Sequence, residues 1–178
     1  MTVAPGTATT VRIERGTTIG DHVLFRLKGG DAVIGEGCDL RRGVVISVGG
    51  HLVLAGQNLV SWGVLVHCDE DVRIGRLTTL SEYATVVDSV HFHTDPHVPA
   101  HRNLRTSPVV IGDNCWVCPK ATVTSGVRVG DYCVVASNSS VTTDVPDGQL
   151  VGGVPARIVQ PTTLPWLTAP ARPARPAG

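Results

Sequence analysis

Aromatic side chains are scarce, at 4% of 178 residues, as a narrow interior with no space for rings requires. No apolar run approaches the ~20 residues of a membrane-spanning helix. The opening MTVAPGTATT has neither the basic nor the apolar part of a signal peptide, so none is expected. Formal charge is zero and no basic stripe is present, which argues against nucleic acid or an anionic membrane surface as a partner. Glycine-rich coenzyme fingerprints of the GxGxxG and GxxxxGK[ST] kinds are also missing. The five cysteines are odd in number and irregular in spacing, which points to reduced thiols in a cytoplasm rather than a secreted disulfide framework. The length suits one domain with a real core.

What the chain does have is a strict period of six. Ile111, Val117, Val123, Val129, Val135 and Val141 recur without a slip. Four residues after each comes a set no larger than valine: Cys115, Ala121, Val127, Cys133, Ser139 and Val145. This period fits neither an amphipathic helix nor an ordinary strand. It fits very short strands joined by tight corners, the hexapeptide solenoid. In such a coil the branched residue fills the core and the small residue lets the corner close. Three hexads make one triangular turn, so residues about 18 apart stack roughly 4.8 Å from one another. Asp113-Asn114, Ser125-Gly126 and Ser137-Asn138 fall at corners, where positive φ is often required. A β-sandwich of short strands would not hold one spacing over six repeats.

Upstream the repeat is looser: Ile34, Leu40, Ile46 and Leu52, then a one-residue slip to Leu59 and Leu65, then recovery at Ile74, Leu80 and Val86. The expected organisation is a flexible start over 1–10, a solenoid domain over 11–159 and a Pro/Ala-rich, mostly disordered tail over 160–178. Within that tail, Leu164-Pro165-Trp166-Leu167 is a candidate docking patch. Residues 88–107 break the hexads and carry His91, His93, His97 and His101, four of seven histidines. A long loop inserted into a regular coil is more often functional than accidental.

Three pieces together resemble the hexapeptide-repeat acyltransferases, the group of the maltose, galactoside and colanic-acid O-acetyltransferases. They are the loop opening Asp88-Ser89-Val90-His91, the re-entry Pro108-Val109-Val110-Ile111-Gly112-Asp113-Asn114-Cys115-Trp116-Val117, and the ending Val151-Gly152-Gly153-Val154-Pro155-Ala156-Arg157-Ile158. The resemblance covers about residues 30–160. It implies an all-β, left-handed parallel β-helix; the hand comes from the family, not from the spacing. It also implies a homotrimer with acetyl-CoA as acyl donor, lying in grooves between subunits, and a small-molecule acceptor.

Acyl transfer from a thioester needs a base for the acceptor's proton, and imidazole titrates near working pH. By its place after the Asp-Ser step, His91 matches the family's catalytic histidine. His93, two residues on, is the alternative base and otherwise a substrate contact. Asp88 either orients the imidazole or grips a sugar hydroxyl, or it bonds backbone at the loop's start. Trp116 falls at an outward position and matches a tryptophan near the pantetheine arm, trimer packing being the alternative. The family pattern also places coenzyme A near Ala136, Ser137, Thr142, Thr143 and Arg157, although a lone cation such as Arg157 carries little information. Two departures stand out. Where the family often has glycine and a useful N–H, this chain has Cys118-Pro119, and proline has no N–H; and valine, not asparagine, precedes Pro155.

Cys115 and Cys118 imitate a CxxC motif but occupy different columns of the repeat, so no metal is expected there. Two competing functions remain. A zinc-dependent, carbonic-anhydrase-like protein would need a histidine pair five apart after a glycine, which the loop lacks. A non-catalytic trimeric scaffold is favoured chiefly by Pro119.

Overall fold

The computed structural model describes residues 9–162, and these form a three-sided parallel β-solenoid, the left-handed parallel β-helix expected from the sequence. The readings made for 1–8 and 163–178, including the Leu164–Leu167 patch, lie outside the described residues. One face stacks Thr10–Ile13, Asp31–Ile34, His51–Leu54, Asp71–Ile74, Val109–Ile111 and Arg128–Val129. The second runs from Thr18–Ile19 through Trp116–Val117 and Val134–Val135, and is closed by the antiparallel pair Gln149–Gly153 and Ala156–Pro161. The third runs from Leu24–Leu27 to Ser140–Val141. All solenoid pairings are parallel and in register, so each residue sits directly over its counterpart one coil away.

Two coil lengths coexist, and this corrects the reading of a slip at Leu59 and Leu65. Those two side chains are only half-buried, whereas Val60 and Val66 are fully buried. The early coils have four-residue strands on the first face, so both Leu52 and Leu54, and both Val72 and Ile74, point inward. The six-residue count ends at Leu52 and restarts at Leu54, giving Leu54, Val60, Val66 and Val72, and restarts again at Ile74. Early coils therefore repeat every 20 residues (Ile34, Leu54, Ile74), and late ones every 18 (Ile111, Val129). Strand alternation makes this possible, because residues two apart share a face.

Corners turn on residues in the left-handed region, as expected at Asn114 (φ 50°), Gly126 (φ 79°) and Asn138 (φ 59°). Leu77, Tyr83 and Tyr132 hold the same conformation without glycine's freedom. Each such residue donates its N–H to the carbonyl one coil below: Asn114 to Arg76, Tyr132 to Asp113, Lys120 to Glu82, Asn138 to Pro119. Inside, Cys38, Asn58, Thr78, Cys115 and Cys133 form a column that satisfies corner groups. Asn58 Nδ2 reaches the carbonyls of Gly75 and Thr78, and Cys115 Sγ reaches that of Gly130 at 3.0 Å.

Candidate active site

The inserted segment 88–107 is an antiparallel hairpin, Ser89–His91 against Leu104–Thr106, with a short 3-10 turn at Ala100–Arg102. It leaves the solenoid between the third and first faces, after Thr85–Val87 and before Val109–Ile111. Its root is firmly held. The Asp88 carbonyl accepts from the Ser107 N–H and from the Ser125 hydroxyl, each at 2.8 Å.

Asp88 itself does not face the loop's histidines. Its carboxylate is fully buried and accepts the N–H groups of Asp69, Glu70 and Asp71 at 2.7–3.0 Å. It caps the corner one coil below, leaving no oxygen for a sugar hydroxyl. Of the roles read from the sequence, only backbone bonding is realised, and to the neighbouring coil rather than to the loop itself.

His91 ends the first hairpin strand with its ring exposed. The Asn103 carbonyl accepts the N–H of Phe92 and lies 3.3 Å from His91 Nδ1. With the proton on Nδ1 donated there, Nε2 carries a free lone pair, the state a general base needs. His93, His97 and His101 are also exposed, while Arg105 stacks on the Phe92 ring at 4.9 Å.

Trp116 lies on the second face, pointing outward and half exposed, with Nε1 donating to Ser81 Oγ at 2.8 Å. Beyond it, Cys118 gives its N–H to Val135 and Pro119 accepts from Asn138. Glu82 and Ser137, at the same corner in adjacent coils, likewise lend no N–H to the inter-coil ladder. The ladder therefore tolerates proline at 119, because that N–H is surplus to the fold.

The five residues matched to coenzyme A divide into two groups. Ala136 and Ser137 sit at the second corner, with Ala136 beside Gly152 of the closing hairpin. Thr143 and Arg157 line one groove of about 380 Å³ at the solenoid's end, together with Asp144, Ile158 and core residues. Thr142 is exposed but does not line that groove. Hydroxyl and guanidinium groups together suit a phosphate.

One cluster escaped the sequence reading. Lys28 Nζ lies 2.7 Å from His67 Nε2 and donates to Asp69 at 3.0 Å, while the Ser89 hydroxyl donates to Asp69 at 2.9 Å. Asp69 and Ser89 are 20 residues apart, one early coil, so the correct coil length would have stacked them. Among the described residues, no group of three or more metal-type side chains converges. Within the same residues, no helix is long and apolar enough to cross a membrane.

Residues 108–143 match the bacterial transferase hexapeptide family (six repeats). The chain is 35% identical over 99 residues to the putative lipopolysaccharide biosynthesis O-acetyl transferase WbbJ of Escherichia coli K12, a match covering 51% of this chain. It spans about half the length of that curated relative, 50%. A variant of AntD, an N-acyltransferase from Bacillus cereus, in complex with dTDP and coenzyme A, superposes with TM-score 0.74 at 13% identity, covering 91% of this chain and 88% of that one. Galactoside acetyltransferase in complex with coenzyme A gives TM-score 0.57 at 19% identity, covering 86% of this chain and 65% of that one. The last two likenesses are of fold. In repeat, sequence and architecture the chain resembles the hexapeptide-repeat acyltransferases.

Proposed function

We propose that this chain is an acyltransferase that moves an acetyl group from acetyl-CoA to a hydroxyl of a sugar or other small metabolite. The observation that carries this reading is the placing of His91: its ring is exposed at the hairpin, with Nδ1 3.3 Å from the Asn103 carbonyl, so a proton held there leaves Nε2 as the base. The acceptor oxygen attacks the thioester carbonyl as Nε2 takes its proton. The tetrahedral intermediate collapses with cleavage of the C–S bond, and the imidazolium returns the proton to the departing thiolate. Thr143 and Arg157 would take a phosphate of the coenzyme, and Trp116 would flank the pantetheine arm, with Ala136 and Ser137 along its path. His93 would contact the acceptor. The whole works in a cytoplasm.

Trp116 and the hairpin stand on different sides of one prism, which supports a site assembled between copies, as in a homotrimer. Acetyl-CoA turnover over a panel of sugars tests the reading. Wild type should release coenzyme A with at least one acceptor, and His91→Ala should lose ~10²–10⁴-fold in kcat, the usual worth of a positioned base. Full activity in His91→Ala with loss in His93→Ala would move the base two residues along. A second reading, a non-catalytic trimeric scaffold, draws on Pro119 and predicts coenzyme A binding with no turnover on any acceptor.

A further inference from the structure

The root of the hairpin and the corner beneath it hold one another reciprocally. The Asp88 carboxylate accepts the Asp69 N–H at 2.8 Å, and the Asp69 carboxylate accepts the Ser89 hydroxyl at 2.9 Å. Lys28 extends this clasp downward, its ammonium 3.0 Å from Asp69 Oδ1. The register stacks residue 28 under Gly49, Gly49 under Asp69 and Asp69 under Ser89, so Lys28 lies three coils below Ser89 and reaches past Gly49 to Asp69. Gly49 has no positive φ, so its backbone does not require glycine. What a Cβ there would meet is Asp69 Oδ1, at 3.2 Å. Its missing side chain leaves the path from Lys28 to Asp69 open.

Burial works to raise the Asp69 pKa, but the Lys28 ammonium and the Ser89 hydroxyl prevail and hold it below the ordinary carboxylate range. Asp69 is therefore an anion at neutral pH, which strengthens both bonds. Ser89 and His91 are two apart on one strand, so their side chains share a side of the hairpin. Whatever fixes Ser89 fixes the origin from which the His91 ring is aimed.

We propose that Lys28, Asp69 and Ser89 form a positioning chain that sets the aim of the His91 ring from three coils below. None of the three touches the reacting atoms in this scheme; they act through the strand. The inference rests on His91 being the base, and its test separates the two ideas. Deuterium exchange of the 89–107 amides reads the clasp without reference to activity. Steady-state kinetics read its consequence.

In Ser89→Ala the hairpin amides should exchange at least about tenfold faster. Misplacement of the base should cost about tenfold or more in kcat, with KM for acetyl-CoA within about twofold. Ser89→Thr, which keeps the hydroxyl, should restore both. Gly49→Ala, which touches neither substrate nor hairpin, should give a weaker form of the same pair of effects. Unchanged exchange in Ser89→Ala overturns the proposal, as does a loosened hairpin with wild-type kcat. Should His91→Ala stay fully active, the function reading fails, while the exchange result still stands or falls by itself.

Discussion

Replacing Pro119 by alanine should make the protein a better catalyst. In the resembling family the N–H at this place faces the thioester carbonyl, and here proline removes it. The surrounding ladder is complete without it: Lys120 donates to Glu82 at 2.9 Å, Asn138 donates to Pro119 at 3.0 Å, and Cys118 donates to Val135 at 2.9 Å. An added N–H at 119 takes nothing from these bonds, and the position is only half-buried, so water can serve it in the free protein. The cost is the looser unfolded chain, about 0.4–1 kcal/mol, or roughly 1–4 °C in Tm for a domain of this size. One oxyanion donor is worth about 10²–10³-fold in kcat where it is the main donor. With some other donor already serving the oxyanion, the gain should be about tenfold, by the same argument. The assay is coenzyme A release under saturating acetyl-CoA, beside a thermal melt. A kcat equal to wild type, in a variant with the expected small drop in Tm, would refute the idea that residue 119 faces the carbonyl.

Arg157→Ala should raise KM for acetyl-CoA about tenfold and leave kcat alone, since one charge-assisted hydrogen bond is worth ~1.5 kcal/mol; initial-rate kinetics over an acetyl-CoA series check this. Asp88→Ala strands three corner N–H groups and should cost about 3 kcal/mol. That is a Tm lower by about 6–12 °C, measurable by calorimetry, with Asp88→Asn losing less. The thiols should be silent in the native protein. All five cysteines are buried and free, and burial together with the Asp88 carboxylate pushes the Cys68 thiol up to about 12. A hydrogen bond from Cys115 holds the Cys133 thiol down at about 7, but that sulfur is closed off from solvent and so from any reagent. A thiol-specific chromogenic reagent should titrate none at first and five after denaturation.

The late coils were readable residue by residue because from Ile111 onward the branched inward side chains fall six apart, so the count never breaks. Ile111, Val117, Val123, Val129, Val135 and Val141 are all buried, as the period requires. The early coils broke the count because a four-residue strand has two inward positions, and the sequence does not say from which of them the next hexad starts. Leu59 and Leu65, large and apolar, were plausible occupants of a core that belongs to Val60 and Val66. The same uncertainty hid the clasp, since stacking Asp69 under Ser89 needs the 20-residue coil. Asp88 misled for another reason. A carboxylate beside a histidine-rich loop suggests chemistry, but whether it turns outward depends on donors in the coil below, and three such donors turn it inward. Trp116 was legible from alternation alone, as an outward ring half exposed.

A solenoid is uniform by construction, so its departures from uniformity are where a special role must be accommodated. Along the outward column of the second face, Leu59, Thr79 and Val134 stack with Trp116, which alone among the four is aromatic. Its own chain supplies a single polar partner, Ser81, and leaves half the ring in solvent. The hairpin departs from the far edge of the third face and extends an exposed imidazole whose Nδ1 lies 3.3 Å from the Asn103 carbonyl. Neither feature completes the other within one prism, because a rigid three-sided coil cannot fold one face toward another. A corner of one copy set against the face of the next closes that gap without any change of backbone. If the proposed reading holds, a mixture of His91→Ala and Trp116→Ala subunits, each inactive alone, should regain part of the wild-type rate when reassembled together. Independent sites within single chains would give no recovery at any mixing ratio.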